Sequence, residues 1–158
     1  MPGLLLDTNV WIAAIFTTHP FHRPAQRLLQ EATPDNPAVL CRSTEQSFLR
    51  LASTPTLLKV YGAEGLTNRD ALTALHTLLA LPQIAERAEP PGLTTLWHRL
   101  ASRDTASPKV WMDAYLAAFA IVGGLRFVSL DRDFGGFTAQ GLDLLALNPA
   151  SSRNPAQS

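Results

Sequence analysis

Leu4-Leu5-Leu6-Asp7-Thr8-Asn9-Val10-Trp11 is three consecutive apolar residues, a carboxylate, and then a segment with helical spacing. An uninterrupted apolar run of this kind reads as a strand buried on both faces, as in a parallel sheet covered by helices. Asp7 therefore falls where a strand, Leu4 to Leu6, gives way to a helix, Thr8 to Phe16. The same punctuation recurs downstream. Glu45 follows Ala38-Val39-Leu40-Cys41-Arg42, Asp113 opens an apolar stretch through Val122, and Asp131 and Asp133 follow Arg126-Phe127-Val128-Ser129-Leu130.

Working outward from these junctions, a helix is expected over Pro24 to Ala32 and a turn over Thr33-Pro34-Asp35-Asn36-Pro37, since proline and Asx residues suit turns. The strand Ala38 to Cys41 comes next. Ser43, three residues before Gln46, has the spacing of a helix-capping pair, which puts Glu45 in a first turn. Residues 54–66 read as a loop or broken helix and Asn68 to Leu81 as a leucine-rich helix, so 43–81 is mostly helical. Gln83 to Ala88 reads as a short edge strand, Leu93 to Arg103 as a helix, and Ser107-Pro108 as the cap and first residue of a buried helix, Lys109 to Val122. Gly123-Gly124 supplies its left-handed stop. Strands at Arg126 to Leu130 and Leu142 to Leu147 complete the pattern. Alternating buried strands and helices predict a three-layer α/β/α domain over residues 1–148 with a central, mostly parallel sheet, followed by a polar, disordered tail at 149–158. In such a sheet the strand carboxyl ends and helix amino ends share one edge, where ligands bind. Asp7, Glu45, Asp113 and Asp131 all belong to that edge.

With 158 residues, 46% of them hydrophobic, the chain matches one domain with a sizeable core. Thirteen basic residues balance thirteen acidic ones, which argues against broad electrostatic attraction to nucleic acid or an anionic membrane and leaves any such contact to local arginines. The single cysteine, Cys41, excludes an intramolecular disulfide and a thiolate metal cage, and reads as a small buried strand residue. No basic region precedes the first apolar run, and Ala114 to Leu125 is too short to span a bilayer. A soluble cytoplasmic protein is expected.

Taken singly, each acid is as well explained by the preference of carboxylates for helix amino termini. Together they demand more. Carboxylates brought within about 5 Å of one another repel by roughly 3 kcal/mol per pair at an effective dielectric of about 20. A divalent cation relieves this. Oxygen ligands suit Mg²⁺, with Mn²⁺ as substitute, while the chain lacks the thiolates or closely grouped histidines that favour zinc; His19 and His22 read as exposed. Such an ion activates water and stabilises charge on a phosphate, so phosphodiester hydrolysis is the natural reaction class. Thr8, Asn9 and Ser129 are placed to orient the acids or the waters, and each reads equally well as a turn or cap residue.

Four segments carry a family resemblance: residues 4–11, quoted above; Ser43-Thr44-Glu45-Gln46-Ser47-Phe48-Leu49-Arg50; Met112-Asp113-Ala114-Tyr115-Leu116-Ala117-Ala118; and Phe127-Val128-Ser129-Leu130-Asp131-Arg132-Asp133-Phe134. In this order the chain resembles PIN-domain ribonucleases, in particular the VapC-like toxins of type II toxin–antitoxin systems. The resemblance implies a Mg²⁺-dependent RNA endonuclease, neutralised by a cognate antitoxin and often a homodimer. It assigns metal binding and catalysis to Asp7, Glu45, Asp113 and Asp131, with Asp133 a second candidate for the last place. Ser129 stands where the family more often has threonine, and the hydroxyl is retained. An RNA substrate further directs attention to Arg42, Arg50, Arg132 and Lys109 as phosphate contacts, although solvated surface positions describe any one of them as well. Trp11, Trp97 and Trp111 read as core before they read as base-stacking residues, and single-stranded or looped RNA suits such a site better than a regular duplex. The leucine-rich span 43–81 is the expected partner surface. Two rival readings are a haloacid-dehalogenase-like phosphohydrolase, which needs an acid where this chain has Asn9, and a non-catalytic RNA- or protein-binding domain, which the intact acids disfavour.

Overall fold

The structure is a computed structural model that describes residues 2–148; the tail expected at 149–158 lies outside the described residues. Strands β1 (Leu4–Leu6), β2 (Ala38–Leu40), β3 (Ile84–Glu86), β4 (Arg126–Ser129) and β5 (Leu144–Ala146) form one sheet in the order β3-β2-β1-β4-β5. Every pairing is parallel, with Leu5 opposite Val39 on one side and Phe127 on the other. The apolar triplet is thus the central strand. The segments expected at Gln83 to Ala88 and Leu142 to Leu147 contribute the two edges.

Seven α-helices are described: α1 (Thr8–Ile15), α2 (His22–Glu31), α3 (Arg42–Leu51), α4 (Pro55–Val60), α5 (Asn68–Leu79), α6 (Leu93–Ala101) and α7 (Val110–Gly123), with a 3-10 segment at Arg132–Gln140. Alternation along the strands sends successive side chains to opposite faces. Leu6, Ala38, Leu40 and Val128 join one core with Trp11, Phe48 and Leu75 from α1, α3 and α5. Leu5, Val39 and Phe127 join the other with Leu96, Phe119 and Phe134 from α6, α7 and the 3-10 segment. Neither face is left to solvent, which makes the architecture α/β/α and explains why the strands read as continuous apolar runs.

Several junctions differ in detail from the sequence expectation. Helix α3 begins at Arg42, so Cys41, buried as expected, takes the cap position; Thr44 rather than Ser43 ties down the turn, accepting from the Cys41 N–H at 3.0 Å. Helix α7 begins at Val110, because the Ser107 hydroxyl pairs with that of Thr105 and the Ser107 carbonyl accepts from the Val110 N–H, which makes a turn ahead of the helix. Its end is as expected. Gly124 adopts φ 65°, and the Leu125 N–H reaches back to Ala120. The interior of α7 is buried, but Trp111 and Met112 at its start are 52% and 61% exposed. Among the described residues, no helix is long and apolar enough to cross a membrane.

Candidate active site

Chain order runs outward from β1 first to β2 and β3, then returns to the other side for β4 and β5. The sheet therefore has a topological switch between β1 and β4, where the carboxyl ends open a crevice. Asp7 sits on it. It follows β1 as the cap of α1, with Oδ1 accepting from the Thr8 N–H at 2.8 Å and Oδ2 from the Ser129 hydroxyl, at the end of β4, at 2.7 Å. Ser129 is fully buried, and its oxygen also accepts from the Asp131 N–H at 2.9 Å. Asn9 completes the brace, its Oδ1 accepting from the Leu130 N–H at 3.2 Å and its amide donating toward Ser129 Oγ at 3.4 Å. One hydroxyl and one amide therefore lock the two strand ends that carry the first and last acids.

Asp113 enters from the first turn of α7 and Asp131 from the cap of the 3-10 segment. Lys109 spans them, with Nζ at 2.8 Å from Asp131, 3.6 Å from Asp133 and 3.7 Å from Asp113. Burial pushes the Asp7 carboxyl above its ordinary range, against the Ser129 and Thr8 hydrogen bonds, and the charges of Asp113 and Asp131 push the same way. Burial likewise raises Asp113, with Lys109 opposing and Asp131 and Asp133 reinforcing. The hydrogen bond from Lys109 holds Asp131 below the usual carboxylate range and raises Lys109 in return. This is a cluster whose negative charge attracts a cation.

Glu45 approaches from α3 and is 3% exposed. Its Oε2 accepts from Arg42 at 2.9 Å, and the same guanidinium lies 3.4 Å from Glu86, the last residue of β3. Burial first, and then Glu86, push Glu45 up to about 7. Its other oxygen, Oε1, is buried without a hydrogen-bond partner, which is costly for a carboxylate unless another group satisfies it.

The PIN domain family model matches residues 4–138. The chain belongs to the PIN-domain family. Within the family it is similar to ribonuclease VapC41 of Mycobacterium tuberculosis, 42% identical over 144 residues that cover 90% of this chain and 99% of that protein. The same fold occurs in the VapC20 toxin of Mycobacterium tuberculosis (TM-score 0.57, 21% identity, 89% of this chain and 96% of that one). It also occurs in VapBC2 of Rickettsia felis, solved with a DNA fragment from its promoter (TM-score 0.58, 14% identity, 92% and 98%).

In this PIN domain the acids named from sequence all reach the strand ends, but not on equal terms. Asp7, Asp113 and Asp131 feel one another's charge; Asp133, 82% exposed, adds its charge to Asp113, donates its N–H to Asp131 and lies 3.6 Å from Lys109. Glu45 is held by Arg42, whose guanidinium also reaches Glu86, and no three histidine, cysteine, aspartate or glutamate side chains among the described residues are gathered closely enough to form a ready-made ion site. Thr8 contributes through its backbone N–H. Arg42 is committed first to carboxylates, and Arg132 is exposed beside Asp131. Arg50 is not brought to the acids: five residues beyond Glu45 and about 140° round the helix, it lines a separate groove with Leu49, Ser53 and Leu72. Of the tryptophans only Trp11 is fully buried, with Trp97 half-buried and Trp111 exposed. Sequence reasoning missed Glu86, although an acid closing a strand expected at the sheet edge was its visible signal, and it missed Lys109 as the cation among the acids.

The raised Glu45 has a consequence for stability. Its folded value, about 7, lies above the reference 4.5, so between those limits the folded chain binds more protons than the unfolded one and stability rises as pH falls. In chelator, Glu45→Gln is expected to be more stable than wild type above neutrality, with the gap closing as pH falls toward about 5. Urea unfolding across that range measures it. A gap that stays constant or widens on acidification contradicts the assignment.

Proposed function

We propose that this PIN domain is a Mg²⁺-dependent endoribonuclease, acting in the cytoplasm as the toxin of a toxin–antitoxin pair. The observation that carries the proposal is the buried, unpartnered Oε1 of Glu45, in the first turn after β2, the strand that neighbours β1 and its Asp7. An all-oxygen donor set is the chemistry of a hard divalent ion. Asp7, Glu45, Asp113 and Asp131 would hold it, Asp133 standing further out. Bound there, Mg²⁺ would supply an acidified water and neutralise charge developing on the scissile phosphate. The chain's own groups orient the acids: Ser129 and the Thr8 N–H fix both oxygens of Asp7, and Asn9 fixes the loop that carries Asp131. Arg42 and Arg132, at the rim, are suited to phosphate.

The names of its relatives supply the remaining support, VapC41 being a ribonuclease and VapC20 a sarcin-ricin loop cleaving toxin. A cognate antitoxin follows from the VapBC pairs that share the fold, such as VapBC-1 of nontypeable Haemophilus influenzae. We place it on α3 to α5, where Val60, Leu66 and Leu72 are exposed.

The test is to incubate purified protein with cellular RNA in Mg²⁺, in Mn²⁺ and in chelator, and to sequence the new ends. Discrete cleavage sites are expected with either ion and none in chelator. No new ends in any condition would overturn the ribonuclease reading, and the same ends in chelator would overturn the metal. Saturating Mg²⁺ is also expected to stabilise the fold by about 2.7 kcal/mol at one hundred times Kd, raising the melting temperature, and to do so less in Asp113→Asn. Equal shifts would mark a nonspecific ion effect.

A further inference from the structure

Beside the acids lies a cavity of about 300 Å³ lined by Arg42, Ser43, Gln46, Glu89, Trp97, Trp111, Met112 and Tyr115, at the lower end of the roughly 300–1,000 Å³ of small-ligand sites. Its position is defined by the chemistry next to it. Arg42 is the residue bonded to Glu45, and Met112 immediately precedes Asp113. The walls are aromatic: Trp97 and Tyr115 meet edge to face with centroids 5.6 Å apart, and Trp111 adds a third ring. Two of these rings are held in place. The Trp97 indole N–H donates to the Trp111 carbonyl at 2.7 Å, and the Tyr115 hydroxyl donates to Glu89 at 2.7 Å. The polar lining consists of an amide, a carboxylate, a hydroxyl and a guanidinium, from Gln46, Glu89, Ser43 and Arg42.

The rim of this pocket is exposed although the helix that carries it is otherwise largely buried. From Ala114 to Ala120 helix α7 is largely buried, yet Trp111 and Met112, one turn earlier, are mostly exposed. An open aromatic groove with a few groups able to meet donors and acceptors matches an unpaired nucleobase, which offers π-faces and a polar edge. The guanidinium at its rim suits the phosphate that joins such a base to its neighbour.

Resting on the ribonuclease reading above, we propose that this pocket receives a nucleobase flanking the scissile phosphate of a single-stranded RNA, with Trp111 as its stacking surface and Gln46 and Glu89 meeting its edge. The pocket makes the enzyme dependent on a base, not only on backbone charge, at one defined position of the substrate.

The experiment measures binding of a short, mixed-sequence, single-stranded oligoribonucleotide by fluorescence anisotropy, on the Asp7→Asn background so that the strand stays intact. The same strand is also tested with a single abasic residue moved along it. Trp111→Ala is expected to weaken binding of the intact strand on the order of 5- to 100-fold, with Trp111→Phe recovering most of the loss. An abasic residue at one position is expected to weaken binding comparably in the parent and to have little further effect in Trp111→Ala, the coupling expected of two groups in contact. Trp111 is exposed, so an unchanged melting temperature certifies the variant's fold. Equal affinity of Trp111→Ala and its parent overturns the pocket, as does an abasic effect that is the same in both proteins or no binding of the intact strand. Should Trp111→Ala instead loosen only a bound antitoxin, the pocket is a protein contact and the proposal fails. Cleavage is read separately on the otherwise wild-type chain. Cleavage with unaltered affinity in Trp111→Ala retains the ribonuclease and removes the pocket, and base-dependent binding without cleavage does the reverse.

Discussion

Replacing Asp7 by asparagine is expected to abolish RNA cleavage while leaving the fold intact. The two side chains have nearly the same shape, so the cap on α1 and a contact with Ser129 remain available, but the negative charge is lost. That charge sits at the switch point of the sheet, where burial and the charges of Asp113 and Asp131 oppose it more strongly than the Ser129 and Thr8 hydrogen bonds favour it. Removing groups one step away from a metal already costs about 10–100-fold, so the loss for Asp7→Asn should exceed about 100-fold. Asp113→Asn should behave alike. In chelator both variants are expected to be at least as stable as wild type, because a like-charge repulsion has been removed. Circular dichroism, melting curves and cleavage of the mapped sites make the comparison, and full activity in two folded variants would defeat the four-acid site.

Trp11→Ala is expected to produce the largest loss of stability, about 3–5 kcal/mol. Its indole is fully buried in the core that covers one face of the sheet, and its N–H donates to the Leu6 carbonyl at 3.1 Å. Leu6 directly precedes Asp7, so the same residue that fills the core also fixes α1 against the end of β1. For a chain of this size the melting temperature should fall by on the order of 10 °C. Trp11→Phe keeps much of the packing and gives up the hydrogen bond, for a smaller loss of about 1–3 kcal/mol. Urea unfolding in chelator separates these contributions from ion binding. A loss below about 1 kcal/mol for Trp11→Ala would contradict the packing seen here.

The parts of the fold that were legible beforehand are those encoded by neighbours in sequence. The runs Leu4 to Leu6 and Arg126 to Leu130 signal strands because both faces are covered, and Gly123-Gly124 ends α7 because the left-handed turn suits glycine. Helix starts were less legible. At α3 and α7 several hydroxyls compete to cap the first turn, and the choice of Thr44 over Ser43 depends on where the preceding strand releases the chain. The burial of the tryptophans was not legible either, since Trp11 and Trp111 are chemically identical and only their placement distinguishes a core residue from a surface one.

The sequence by itself determined that Asp7, Glu45 and Asp131 follow strands and that Asp113 stands near the start of a helix, because strand and helix periodicities are local. Strand order and register, decided only by the tertiary structure, placed those positions at one edge. They also set each acid's company: Ser129 against Asp7 from 122 residues away, Lys109 among three aspartates, and Glu86 beside Glu45 across the sheet. The physical reason is that a carboxylate's charge state and burial depend on groups within a few ångströms, and those groups come from segments remote in the chain.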